Sequence, residues 1–286
     1  MIYFFITNIL ITFAVRILRM KQKTLILLFA IAVFTSCGEY QKILKSTDPD
    51  FKYKKAVEYF EKKDFMRATT LFDEVTSYYK GTETSELILN YLANCYLGQK
   101  DNLTAVEYFK TYVKTYPKGK FTIDSKFMIG YCYYLDSPDT RLDQTITQDA
   151  IAAFQEFVDV YPESERVPEA MKLLDEMNDK IAQKYYLNSK LYYNLGNYMG
   201  NNYESAVITA QNALKRFPST IHREELSMLI LQAKYEQAVQ SVVEKRLDRY
   251  RAAIDEYYNY INEYPEGKMR KQADKIFNES KKIVND

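Results

Sequence analysis

Few residues in this 286-residue chain have the type and spacing for covalent or acid–base chemistry. Its single histidine, His222, lies between Ile221 and Arg223, after Pro218-Ser219-Thr220. That context predicts an exposed residue near a helix start, and no nucleophile motif accompanies it. No His/Cys cluster has metal-ligand spacing, and no glycine-rich turn could cradle a phosphate. The carboxylates of Glu163, Glu165 and Glu169 fall on solvated helix faces near Lys and Arg. No catalytic residue, metal or cofactor is therefore expected. Two of the three cysteines, Cys95 and Cys132, sit inside helical patterns beside Leu92, Ala93 and Leu97, and beside Tyr131 and Leu135. Buried free thiols are the expectation for both, with a disulfide between them as the alternative.

Cys37 is different, because of what precedes it. Residues 20–37 read MKQKTLILLFAIAVFTSC: a basic start (Lys21, Lys23), an apolar run from Leu25 to Phe34, then Thr35, Ser36 and the cysteine. The run is short for a bilayer span, and its flanks match an export signal. A cysteine closing such a run resembles a bacterial lipobox, whose thiol is acylated and becomes the new N-terminus. Phe34 stands where leucine is usual; the alternative is an ordinary signal peptide with an incidental cysteine. Residues 1–19 form a second apolar stretch ending near Arg16 and Arg19, read as sequence upstream of the functional start at Met20 or, alternatively, as a membrane-spanning helix. The expected organisation is a signal peptide over 1–36, a lipidated tether over 37–46 and a repeat domain over 47–286. Several acyl chains anchor a protein stably, so a membrane is the first expected partner.

Charge narrows the remaining partners. Four cations and no acid lie in the first 37 residues, leaving 35 cations against 38 anions after Cys37, a net charge of −3. No basic stripe occurs, so nucleic acid is excluded as a partner.

The body is built from a repeat. Ala68, Ala105, Ala150, Ala206 and Ala253 are each followed twelve residues later by Lys80, Pro117, Pro162, Pro218 and Pro265. An aromatic precedes each proline: Tyr116, Tyr161, Phe217 and Tyr264. Within four copies the alanine has an aromatic four residues on (Phe72, Phe109, Phe154, Tyr257), while the fourth has Ala210. Residues four apart share a helix face, a small residue admits the partner helix, and proline ends the helix. Upstream partners carry a small residue followed by tyrosine: Ala56 with Tyr59, Ala93 with Tyr96, Gly130 with Tyr133. This matches the tetratricopeptide pattern. The expected fold is all-α, an α-solenoid of about five tetratricopeptide-like helix pairs in one continuous body. The closing residues are 37, 45, 56 and 47 apart, against a nominal repeat of about 34. An acidic, turn-rich insertion over Asp136–Thr147 explains part of the excess, and the breaker-poor run Arg166–Leu195 reads as two long helices around Asn188.

The order of these features resembles the BamD family, the lipoproteins of the outer-membrane β-barrel assembly machinery. The resemblance covers essentially the whole chain after Cys37 and is best from Ala150 to Pro218. It is carried by Ala153, Phe154, Phe157, the Tyr161-Pro162-x-Ser164 turn, Ala170, Leu174, Ala182, Tyr192 or Tyr193, and Phe217-Pro218. It implies a non-enzymatic subunit, lipid-anchored on the periplasmic face of the cell outer membrane. Its implied partners are a BamA-like barrel subunit, met through the repeat around Tyr250 to Tyr264, and unfolded outer membrane protein precursors. The alternative function is a periplasmic tetratricopeptide lipoprotein scaffolding a cell-wall or envelope-integrity complex.

A tetratricopeptide groove can hold an extended peptide through hydrogen bonds and aromatic contact. Its positions fall on Tyr53, Phe60, Asn90, Asn94, Tyr131 and Tyr134. Interhelical packing is the competing role for these residues, above all for Phe60 and Tyr131.

Overall fold

The computed structural model describes residues 39–285, so the expected signal peptide and Cys37 lie outside the described residues. The described residues hold eleven α-helices and a short helical segment over 39–44, with no strand among them. They divide into two compact units, one ending at Asp101 and one starting at Asn102. The sequence predicted one continuous body. The boundary falls between the helix that carries Ala93 and the helix that carries Ala105, inside one copy of the alanine offset.

In the first unit, α1 (Pro49–Glu61), α2 (Phe65–Thr76) and α3 (Glu83–Gly98) pack in succession. Asp48 starts α1 by accepting from the amides of Asp50 and Phe51 at 2.9 and 3.1 Å, with Pro49 in the first turn. Lys63, at φ 60°, makes the left-handed turn between α1 and α2. Ala56, Ala68 and Ala93 are wholly buried, so each removes the bulk that would hold its partner helix away. The packed body begins ahead of the expected boundary at 47: Ile43 is buried, and Tyr40 meets Tyr59 edge-on at 5.7 Å. Arg67 caps both rings, its guanidinium 5.1 and 5.6 Å from their centroids.

The second unit contains α4 (Asn102–Thr115), α5 (Thr122–Asp136), α6 (Thr145–Val160), α7 (Val167–Leu195), α8 (Asn202–Arg216), α9 (Arg223–Val239), α10 (Val243–Glu263) and α11 (Arg270–Asn285). Each helix packs on the next, and α5–α7, α7–α9 and α9–α11 also touch. One layer is therefore α5, α7, α9 and α11, and the other is α4, α6, α8 and α10. This is the stacking of tetratricopeptide-like helix pairs, and the fold is all-α, of the α-solenoid class.

The prolines act as the repeat requires. α4, α6, α8 and α10 each end two residues before Pro117, Pro162, Pro218 and Pro265. In all four the intervening aromatic amide still donates to the carbonyl four residues back, at 2.8 to 2.9 Å. Proline then disfavours the helical region for that aromatic and supplies no amide itself. The first copy, with Lys80, closes otherwise: α2 stops at Thr76 and runs through turns to Gly81 at φ 82°. Gly130 fills the third copy's small position because Phe154 lies against it; a Cβ there would stand 2.8 Å from the ring.

Residues 167–195 form one 29-residue helix, not two helices around Asn188. The propensity cost of one asparagine, well under about 1 kcal/mol, is outweighed by packing on both sides of it. Ile181, Ala182 and Ser189 are buried, and the Ser189 hydroxyl donates to the Ala206 carbonyl at 2.5 Å. His222 is also not exposed as expected. It is half-buried at the start of α9, its ring stacked on Tyr186 at 6.0 Å and 4°.

Candidate peptide-binding face

The groove candidates fall in both units. In the first unit Tyr53 and Phe60 lie at two ends of an aromatic chain joining the three helices. Tyr53 meets Phe72 at 6.1 Å, Phe72 stacks on Tyr91 at 5.0 Å and 7°, and Tyr91 meets Phe60 at 4.9 Å. Both candidates stay half-exposed while one edge of each ring packs between helices. Burial raises the Tyr53 phenol above its ordinary range. Asn90 and Asn94 sit one turn apart on α3. The Asn94 amide donates to the Asn90 carbonyl at 2.8 Å, so one of its donors is already engaged.

In the second unit Tyr131 and Tyr134 touch each other at 6.0 Å and 20°. Tyr131 also stacks on buried Phe127 at 6.1 Å, and Tyr134 donates to Glu176 of α7 at 3.1 Å. Tyr131 thus packs on the core beneath it, and Tyr134 joins two helices of the same layer. Both remain half-exposed.

The insertion after α5 is fastened to this layer. Lys180 of α7 donates to the Ser137 carbonyl and hydroxyl at 3.1 and 2.7 Å, and Lys184 donates to the Leu142 carbonyl at 2.6 Å. Gln144, only 3% exposed, closes the loop from inside by donating to the Asp139 and Leu142 carbonyls. Burial draws the Lys180 ammonium below its ordinary range, only partly opposed by nearby Asp139.

Sequence reasoning missed a cleft of about 180 Å³ where α7, α9 and α11 meet. Tyr193, Tyr235, Glu236, Lys275, Ile276 and Glu279 are among the residues that line it. Tyr235 donates to Glu279 at 2.7 Å, and Lys275 reaches the same carboxylate at 3.9 Å. Burial, then the Glu279 hydrogen bond, raise the Tyr235 phenol far above its ordinary range. Glu236 has no ion-pair or hydrogen-bond partner for its carboxylate among the described residues. Repeating on α9 the offsets that selected the earlier candidates would choose Ile230, Lys234 and Gln237. Ile230 is buried and Lys234 is bonded to Glu256 at 2.5 Å, so those offsets point away from the cleft. Only the placement of α11 identifies it.

Two larger clefts have some of their lining charges already engaged. One of about 300 Å³ lies between Asp175 and Asp179 of α7 and the turn Phe217–Thr220, where Asp179 accepts from the Ile221 amide at 3.1 Å. The other, of about 320 Å³ in the first unit, has two local ion pairs in its lining, Lys55 with Glu58 at 2.7 Å and Arg67 with Asp64 at 3.2 Å. Cys95 and Cys132 are free and buried, in separate units, and burial raises their thiols to about 11 and about 12. Among the described residues no group of His, Cys, Asp and Glu is placed to hold a metal, and no helix is long and apolar enough to cross a membrane.

Residues 46–236 match the YfiO family, described as outer membrane lipoprotein. A curated relative, the outer membrane protein assembly factor BamD of Caulobacter vibrioides, is 24% identical over 122 residues. That match takes in 43% of this chain and 38% of the relative's length. Among solved structures, the TPR2AB domain–pHSP90 complex of yeast Sti1 is similar at TM-score 0.36 and 14% identity, covering 82% of this chain and 98% of that one. A thermophilic TPR protein of Thermus thermophilus is similar at TM-score 0.32 and 15% identity, covering 80% and 98% respectively.

Proposed function

From the premise that the chain belongs to the YfiO family of outer membrane lipoproteins, we propose that it is a non-enzymatic subunit of the β-barrel assembly machinery. In this reading Cys37 is acylated and holds the repeats at the periplasmic face of the outer membrane. The repeats bind a BamA-like barrel subunit and help unfolded barrel precursors to fold and insert. The observation that carries the reading is the family match across 46–236, which spans most of the first unit's described helices, the second unit as far as α9, and the insertion after α5.

Physical chemistry supports a holding role. Half-exposed tyrosines and asparagines on paired helices offer flat apolar surface with hydrogen-bonding edges, which suits an extended chain whose own backbone groups are unpaired. Tyr53, Phe60, Asn90 and Asn94 are proposed as such contacts in the first unit, and Tyr131 and Tyr134 in the second.

Co-purification from gently solubilised outer membrane tests the reading. Recovery of a large barrel protein bearing periplasmic repeats is expected. Recovery of cell-wall synthases without it would overturn the assignment in favour of an envelope-integrity scaffold.

A further inference from the structure

We propose that the cleft between α7, α9 and α11 binds one cationic side chain, the ammonium of a lysine on an extended partner segment. The inference goes beyond the family reading, because it rests on the chemistry of the cleft alone. Its volume of about 180 Å³ equals that of roughly six waters, room for one side chain and not for a folded element.

The charges there do not cancel. Glu236 and Glu279 face a single cation, Lys275, which is drawn toward Glu279 at 3.9 Å. Glu279 also accepts from Tyr235, leaving Glu236 as the half-buried, uncompensated anion. Several other partly buried carboxylates of the second unit have partners: Glu256 is met by Lys234 at 2.5 Å, and Glu224 by the Tyr260 hydroxyl at 2.9 Å.

Tyrosines wall the cleft and its surroundings. Tyr193 and Tyr235 line it, and behind them Tyr203 and Tyr250 meet those rings edge-on at 5.8 and 6.1 Å. Burial raises the Tyr193 and Tyr203 phenols, and the nearby Glu236 charge raises them further, so all stay neutral. Neutral rings beside an unpaired carboxylate attract cations through both the ring quadrupole and the charge. The Gln232 and Gln272 side chains add carboxamide oxygens, so an ammonium's three donors find acceptors of matching number. Ile276, 7% exposed, forms a floor for the lysine methylenes.

The test titrates the full chain, in detergent and with ¹³C-labelled tyrosine rings, with acetyl-Ser-Ser-Lys-Ser-Ser-amide and its norleucine and arginine counterparts. The lysine peptide should shift the Tyr193 and Tyr235 resonances saturably, with norleucine binding roughly tenfold more weakly. Glu236→Gln should show the same loss for the lysine peptide, while Glu244→Gln, an exposed change at the start of α10, should bind normally. Equal binding of the norleucine peptide to the unaltered protein would overturn the site without relying on any variant. Unchanged lysine binding by a folded Glu236→Gln chain would overturn the role of the carboxylate. Arginine binding as tightly as lysine would overturn the ammonium assignment.

Discussion

Replacing Gly130 by alanine should destabilise the second unit, although alanine is the better helix former. Helix propensity alone favours the change by about 0.8–1 kcal/mol. The new Cβ, however, would stand 2.8 and 2.9 Å from two atoms of the Phe154 ring and 3.1 Å from a third. That ring is wholly buried and cannot retreat easily. It lies 5.7 Å from Phe127, which is held 5.6 Å from Phe157 and capped by the Arg166 guanidinium at 4.5 Å. Overpacking of this kind costs about 1–3 kcal/mol, so the net loss should be about 1 kcal/mol. Thermal unfolding followed by circular dichroism should show a midpoint lower by about 2–4 °C. A Phe154→Leu background should remove most of the effect, because the clashing ring is gone. A higher midpoint for Gly130→Ala, or an undiminished loss in the Phe154→Leu background, would refute the reasoning.

Lys180→Met should release the insertion at 137–144, at a cost of up to about 1.5–3 kcal/mol for hydrogen bonds from a charged donor; faster amide hydrogen exchange there, without change in α10, is the expected readout. Cys95 and Cys132 should resist alkylation at pH 8 until the chain unfolds, because thiols raised to about 11 and 12 carry little thiolate. The same shifts fix a sign: the unfolded chain loses these protons first, near the ordinary value of 9, so stability falls as pH rises from about 9 through 11 to 12. Cys37→Ala should leave the exported chain soluble in the periplasm; unchanged fractionation with the outer membrane would remove the anchor.

Helix closure was legible because its cause is local. Proline removes an amide and restricts the residue before it, so Pro117, Pro162, Pro218 and Pro265 end four helices at one offset whatever surrounds them. The buried alanines were legible for a related reason, since a small residue recurring on one face marks where a neighbouring helix approaches. Asn188 misled because the signal was a weak propensity, and packing around Ser189 and Ala182 overrode it. His222 misled because its polar sequence neighbours said nothing of Tyr186, 36 positions away.

The amino-acid sequence by itself determined the all-helical class and the offset at which four helices close on proline. Each of these follows from residues within a few turns of one another. Tertiary structure alone decided that the chain forms two units, that one helix runs unbroken through Asn188, and that Lys180 and Lys184 hold the insertion down. It also decided the candidate site. Tyr193, Glu236 and Glu279 belong to three helices, and no local pattern relates them. An unpaired charge is a property of the space where helices meet, so it becomes visible only once α7, α9 and α11 are in place.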